Sequence, residues 1–360
     1  MRVKEPKTFI IAEAGVNHNG SVAAAKELID IAAGAGADAV KFQTFHAERM
    51  VGGKAPKARY QQATTDPEET QFAMIKRLEL DEEAHEALMA HAEEKNIEFL
   101  SSPFDLESVA FLAHKLNIKR LKIPSGEITN GPLLLKAAAT GKPLILSTGM
   151  CTLGDVEAAL GVIAFGCLGS AAKPSLQAFR EAYASEAGRK ILRKRLTLLH
   201  CTTEYPAPFG EVNLRAMGTM RAAFGLPTGY SDHTPGIAVA IAAVALGASV
   251  IEKHFTKSRD LPGPDHLASL EPVELKQMVR GIRAVEKALG DPAKRPGAAE
   301  RMNRPVAAKS LVALAAIEKG ALFTPDNLGA KRPGTGISPM HYWEILGTAA
   351  GRDYEPDEAI

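Results

Sequence analysis

Eight short runs of β-forming residues recur between Phe9 and Phe255, with helix-forming stretches between them, and this alternation leaves the chain few folds to adopt. The runs are Phe9–Ala14, Ala39–Thr44, Glu98–Ser102, Arg120–Pro124, Pro143–Thr148, Leu196–Thr202, Thr228–Asp232 and Ser249–Phe255. Hydrophobic spacing predicts amphipathic helices such as Val22–Ala35, Asp81–Lys95, Asp105–Leu116 and Leu153–Ile163, with a last one at Val273–Leu289. Gly36 and Asn96 stand where helix C-caps belong. Alternating β and α units make a parallel sheet, and eight of them predict an α/β fold closed into a (β/α)8 TIM barrel. An open, doubly wound sheet is the competing fold, but no run is followed by a G-x-G-x-x-G or P-loop pattern.

Residues 1–290 therefore read as a catalytic barrel, with an additional helical insertion at 167–195. The stretch 291–305 (DPAKRPGAAERMNRP) is proline-rich and polar, which predicts a linker. Beyond it, 306–360 is dense in glycine and proline and predicts a small β-rich domain.

Charge and apolar patterning exclude several partners. Lysine and arginine (43) nearly cancel aspartate and glutamate (42), so no global field draws the chain to nucleic acid or to a membrane surface. An anionic substrate would need a local cluster of cations. The N-terminus MRVKEPKTFIIAEAG lacks the apolar core of a signal peptide. The longest apolar run, Ile237–Ile251, is too short to span a bilayer and is divided by Gly247. Three cysteines without paired spacing, Cys151, Cys167 and Cys201, fit a reducing compartment, and a cytoplasmic location is expected.

Barrel enzymes place their chemistry at the C-terminal ends of the strands. Those ends are polar here in every repeat: Glu13; Lys41 and Gln43; Ser102; Lys122, Ser125 and Glu127; Ser147 and Thr148; Thr202, Thr203 and Tyr205; Ser231 and His233; Glu252 and His254. A single charged strand end is usually a solvated loop residue, whereas a full ring of them indicates a site. Lys41, Lys122 and the hydroxyls suit a carboxylate and a phosphate through charge-assisted hydrogen bonds. Glu13 and Glu127 suit sugar hydroxyls or proton transfer. His233 and His254 end neighbouring strands and can approach one metal ion, leaving open positions for water and substrate. Glu252 and Asp232 stand beside them in sequence and could orient their rings. His85-Glu86 with His91 superficially suggests a zincin motif, but the spacing places the two histidines on different helix faces, and a solvated helix is expected.

At these residues the chain resembles the sialic acid synthase family, which includes the bacterial N-acetylneuraminate and N,N'-diacetyllegionaminate synthases. The matching motifs are AEAGVNHNG (12–20), VKFQTF (40–45), SSPFD (101–105), KIPSGE (122–127), LSTGM (146–150), LHCTTEYPAPFGEVNL (199–214), GYSDHT (229–234), IEKHFT (251–256) and GPDH (263–266). KRPGTGISP (331–339) is similar to the family's C-terminal antifreeze-like (SAF) domain. The likeness spans nearly the whole chain apart from 167–195.

The resemblance implies a nonulosonic acid synthase that condenses phosphoenolpyruvate with N-acetylmannosamine, giving N-acetylneuraminate and phosphate by C–O cleavage. It also implies a divalent metal, manganese first and magnesium or cobalt next, on His233 and His254. Phosphoenolpyruvate is then expected at Lys41, Ser102, Lys122, Ser125, Ser147 and Ser231. Glu13, Glu127, Lys41 and Lys122 are expected to be catalytic. The sugar is expected against Gln43, Thr203, Tyr205, Asp265 and Arg332. A homodimer is implied in which the C-terminal domain closes the partner's barrel, with Arg332 acting in trans. Thr203 stands where some members carry Asn, and the HCTTEYPAP and GYSDHTPG spellings are also similar to legionaminate synthases. A 2,4-diacetamido-2,4,6-trideoxymannose substrate is therefore the alternative, with pseudaminate synthesis behind it. A Schiff-base aldolase using Lys122 and a non-catalytic sugar- or ice-binding protein are the competing functional classes.

Overall fold

The computed structural model describes residues 7–66 and 68–360. The signal-peptide reading rests partly on residues 1–6, which lie outside the described residues. Two compact units divide the chain, Met1–Gly290 and Asp291–Ile360.

In the first unit eight parallel strands form one sheet: β1 (Phe9–Gly15), β2 (Ala39–Thr44), β3 (Glu98–Pro103), β4 (Leu121–Ile123), β5 (Leu144–Ser147), β6 (Leu196–Cys201), β7 (Thr228–Asp232) and β8 (Val250–His254). The order β3-β2-β1-β8-β7-β6-β5-β4 brings the first and last strands together, as in a TIM barrel. The ladder is interrupted between β3 and β4. β4 is only three residues long and runs into Pro124, which has no N–H to donate. Arg120 spans this seam, its guanidinium donating to both Glu98 carboxylate oxygens at 2.7 and 3.3 Å.

The helices pack outside and are capped as their sequences suggest. Ser21 Oγ accepts from Ala24 N at the start of helix Val22–Ala35, and Gly36 ends it at φ 83°. That left-handed geometry carries little cost for glycine alone. Asn96 follows helix Glu82–Glu94 at φ 55°. The helix expected at Asp105–Leu116 changes pitch, from α over Leu106–Ala110 to a π turn over Phe111–Lys115. Helix Leu153–Leu168 runs five residues past its expected end. From Ala158 onward it is apolar on all sides, because the insertion supplies helices Leu176–Ala184 and Glu186–Arg195 to cover its outer face. Phe165 and Phe179 meet edge to face there, 5.2 Å apart.

Between β2 and β3 the chain makes three short helices, Ala47–Met50, Arg59–Thr64 and Gln71–Leu78, before the expected one. They enclose an apolar cluster of their own, with Val16, Phe45, Met74, Ile75 and Leu78 buried.

The second unit has a separate core of Leu311, Ala313, Ile317, Phe323, Leu328 and Ala350. Its antiparallel pair is β9 (Ser310–Ala313) with β10 (Leu328–Lys331). Part of the stretch expected as a linker is helical, Ala298–Ala307. Its Ala-Ala-Glu-Arg-Met run favours helix, and the Glu300 carboxylate accepts from Gly297 N at 2.8 Å to cap it. No helix among the described residues is long and apolar enough to cross a membrane.

Candidate active site

The inward-facing residues of the barrel change character at one level. Ile11, Ala39, Leu100, Ile145, Leu199 and Val250 pack into an apolar plug. Strand side chains repeat every second residue, so the next inward layer is Glu13, Lys41, Ser102, Ser147, Cys201 and Glu252, joined by Lys122 and Ser231. Parallel register aligns Glu13 with both Lys41 and His254, Gln43 with Ser102, and Ser231 with Glu252. Above the plug lies a cavity of about 200 Å³. Its walls include Glu13, Lys41, Gln43, Ser102, Lys122, Ser125, Thr203, Tyr205, Ser231, His233, His254 and Asp265.

Charge alternates around its floor. Lys41 Nζ lies 2.6 Å from Glu13 and 3.7 Å from Glu252, and donates to Ser102 Oγ at 3.0 Å. Lys122 Nζ lies 3.1 Å from Glu252, which also accepts from Ser231 Oγ at 2.8 Å. Burial favours the neutral form of each group, and the neighbours decide the outcome. Burial raises Glu13 to about 7, with Glu252 adding to the rise and Lys41 opposing it. Glu252 is buried equally deeply, yet Lys122 and Lys41 together hold it down at about 2. For Lys41, burial is outweighed by Glu13 and Glu252, which lift it above the usual lysine range. The two carboxylates of one floor are thus set to different protonation states, a pattern found where one accepts a proton and the other stays charged.

Two hydroxyls are left open. Ser147 Oγ and Thr203 Oγ1 are buried with no hydrogen-bond partner among the described residues, which marks them as ready for a ligand. Gly149 N donates to Ser125 Oγ at 2.9 Å. A β-carbon at Gly149 would lie 2.2 Å from Thr203 Oγ1 and 2.8 Å from Ser125 Oγ, so only glycine fits between them.

His233 and His254 face each other with ring centroids 5.4 Å apart. His233 Nδ1 is 2.6 Å from the Thr202 carbonyl, which assigns a proton to Nδ1 and leaves Nε2 as the nitrogen that could meet an ion. His254 Nδ1 is buried, 3.8 Å from Asp265 and without a hydrogen-bond partner among the described residues. Burial, then the charges of His233 and Lys41, keep His254 well below the usual histidine range and so neutral. Burial lowers His233 too, but Cys201 and the Thr202 carbonyl outweigh it and lift His233 above the usual histidine range, so a divalent ion on the two rings would have to displace the added proton of His233. Among the described residues no three His, Cys, Asp or Glu side chains converge as a metal site. An ion held here would take two histidines from the protein. Tyr205 lies over His233 at 4.1 Å and edge-on to His254 at 5.5 Å. Burial lifts Asp265 to about 6.

Some expected residues lie elsewhere. Asp232 does not orient the histidines, because the pleat turns it to the opposite face. There it pairs with Lys253 at 3.0 Å and accepts from Thr234 N and Oγ1. Glu127 sits on the turn Ser125–Glu127 outside the cavity wall, half-buried, accepting from Asn130 Nδ2 at 2.7 Å. Thr148 Oγ1 donates to the Leu199 carbonyl, a structural bond between β5 and β6. His85 is not solvated. It is buried, with Nε2 2.8 Å from Thr44 Oγ1 and Nδ1 2.8 Å from the Asp81 carbonyl. Arg332 is an exposed residue of the second unit.

Other cavity residues were missed from sequence. Cys201, near Ser125 and His233, could have been found by extending the alternation two residues beyond Leu199. Met50, Tyr60, Gln61 and Met74 come from the segment between β2 and β3, where no strand-end rule applies.

Comparison with known proteins adds to this geometry. The NeuB family matches residues 28–294 and the SAF domain matches residues 308–360. The N,N'-diacetyllegionaminic acid synthase of Campylobacter jejuni is 52% identical over 354 residues, covering 98% of this chain and 99% of that protein. The protein of the same name from Legionella pneumophila is 47% identical over 340 residues, covering 94% and 89%. Among solved structures, N-acetylneuraminic acid (sialic acid) synthetase from Leptospira borgpetersenii, in complex with citrate, aligns at 33% identity with a TM-score of 0.67, covering 82% of this chain and 90% of that one.

Proposed function

Because the chain belongs to the NeuB family and carries a SAF domain, we propose that it joins phosphoenolpyruvate to the aldehyde of an N-acylated amino sugar. C3 of phosphoenolpyruvate forms a bond to the aldehyde carbon. Water then adds to C2 and the C2–O bond breaks, leaving a ketone and releasing phosphate; of the two protons of that water, one ends on the former aldehyde oxygen and one on the phosphate. The observation that carries this reading is the floor of the cavity, where Lys41 and Lys122 are buried among open hydroxyls beneath two histidines.

In this reading Lys41, Ser102, Lys122, Ser125, Ser147 and Ser231 hold the phosphate and carboxylate. Glu13, poised near neutrality, takes or gives a proton at the reacting centre. Glu127, outside the cavity wall but next to Ser125 and Gly126, which line it, is the candidate base for the attacking water, and burial raises its pKa. Gln43, Thr203, Tyr205 and Asp265 face the sugar. His233 and His254 would hold a divalent ion, manganese first and magnesium or cobalt next, which when bound would polarise the aldehyde oxygen. Lys122 as a Schiff-base nucleophile is disfavoured by its 3.1 Å ion pair with Glu252, which engages the amine.

The motifs alone place N-acetylmannosamine first as the sugar. The names of the two relatives just described favour the alternative, 2,4-diacetamido-2,4,6-trideoxymannose, with N,N'-diacetyllegionaminate as product. A cytoplasmic setting belongs to the same reading and is supported by three unpaired cysteines. So does a homodimer in which Arg332 reaches the partner's site, supported by an arginine in a small, proline-rich domain. Mixed dimers of Arg332→Ala and His254→Ala chains should regain about one active site in four if pairing is random, and none if Arg332 acts in cis.

A panel of amino sugars assayed for phosphoenolpyruvate-dependent phosphate release tests the whole reading. In ¹⁸O water the released phosphate should carry no label. Label in phosphate would mean P–O cleavage and a different enzyme.

A further inference from the structure

We infer that the segment 45–80 reads the end of the sugar farthest from its aldehyde, and that it selects an apolar, deoxygenated end. This rests on the condensation proposed above. The charged floor and the histidine pair fix the reacting end of the cavity. From His233 a continuous line of rings leads away from that end: Tyr205 lies over His233 at 4.1 Å, and Tyr60 lies against Tyr205 at 5.0 Å. Tyr60 belongs to the short helix Arg59–Thr64. A sugar chain leaving the aldehyde position along these rings arrives at the wall built by segment 45–80.

That wall is apolar. Met50, Met74 and Phe45, with Phe104 from the end of β3, line the cavity and belong to one cluster distinct from the main core. Phe45 and Phe104 meet edge to face at 6.2 Å, and Met74 is 1% exposed, so the wall is packed before any ligand arrives. Gln61 is the polar side chain that the segment brings to the cavity beside Tyr60. A terminal hydroxymethyl group pressed against thioethers and phenyl rings loses its water and gains no partner, whereas a terminal methyl loses nothing and is buried. Methionine side chains adapt to such a group because they are unbranched and polarisable. The floor therefore fixes the reaction, and segment 45–80 fixes which aldehyde is used.

The test compares 2,4-diacetamido-2,4,6-trideoxymannose with its 6-hydroxy counterpart, two sugars differing by one oxygen, on the full-length protein. An apolar pocket rejects an added hydroxyl by roughly 10²-fold at most, and a preference of that order in kcat/KM for the deoxy sugar is expected. Met50→Gln should reduce the preference at least about tenfold with the KM for phosphoenolpyruvate unchanged, and Met50→Leu should retain it. Phe104→Tyr provides a second polar probe of the same wall should the first variant fold poorly. Equal use of the two sugars, or variants that slow both sugars alike, would overturn the inference and leave the condensation standing. If neither sugar consumes phosphoenolpyruvate, the condensation itself falls, and the inference with it.

Discussion

Asp232 and Lys253 form a buried ion pair on the face of β7 and β8 opposite the cavity, and replacing Asp232 by Asn should cost far more than a surface charge does. Both side chains are fully buried, with 3.0 Å between Nζ and Oδ2. Lys253 also donates to the Thr234 carbonyl. At an effective dielectric of 20, unit charges at this distance attract by about 5 to 6 kcal/mol. Breaking such a pair from one side typically costs about 3–5 kcal/mol, since the surviving charge stays buried alone. Asparagine keeps the oxygen that accepts from Thr234 at 2.9 and 2.8 Å, so the substitution isolates the charge. Burial already holds Lys253 below the usual lysine range, with Asp232 resisting. Without Asp232 it falls further. Between that lowered pKa and ~10.4 the unfolded chain then binds a proton that the folded chain lacks, so stability rises with pH across the window. Urea unfolding followed by helical circular dichroism at pH 7 and pH 10 measures both effects. The expected result is a loss of about 3–5 kcal/mol at pH 7 that shrinks at pH 10, and near-wild-type stability for Asp232→Leu combined with Lys253→Met. A loss under about 1 kcal/mol, or one independent of pH, would refute the reasoning.

Three further outcomes follow from the cavity. Glu13 has its folded pKa raised to about 7, so between ~4.3 and 7 the folded state keeps a proton that the unfolded state releases, and stability falls as pH rises through that window. Glu13→Gln should flatten this dependence in denaturation curves and remove the pH–rate limb near neutrality. Gly149→Ala should raise the KM for phosphoenolpyruvate at least about tenfold with little change in melting temperature, because its β-carbon meets Ser125 and Thr203 at the cavity wall rather than in the core. Chelation should abolish turnover, and His233→Ala or His254→Ala should lower kcat by ~10²-fold or more, while calorimetry still detects phosphoenolpyruvate binding through the lysines; full turnover in excess chelator would remove the metal from the reading.

The barrel was legible because its signal repeats. Each strand was located to within about two residues by β-formers between helices, and the alternation of side chains carried Glu13, Lys41, Ser102, Lys122, Ser231, His233 and His254 to one cavity. The same alternation, applied to Asp232, would have turned it outward from the start. Segment 45–80 was not legible. Its helices of four to eight residues are too short to show a 3.6-residue period, and its apolar residues gather through tertiary packing instead. The β3–β4 seam was equally invisible, since it depends on how few residues of β4 reach ladder geometry. Nothing in the spelling of 106–115 indicates that the helix changes pitch there.

The apolar plug of Ile11, Ala39, Leu100, Ile145, Leu199 and Val250 turns the barrel into a tube closed at one end. Traffic through a blind tube is a queue. Whatever binds against the lysines must enter before the molecule that sits above it, and a sugar seated at the histidines bars the way behind it. On the reading developed here, phosphoenolpyruvate goes in first and the sugar second. The phosphate set free at the bottom then waits for the nine-carbon product to clear the mouth. On that reading six apolar side chains beneath the charged floor would set the order of events.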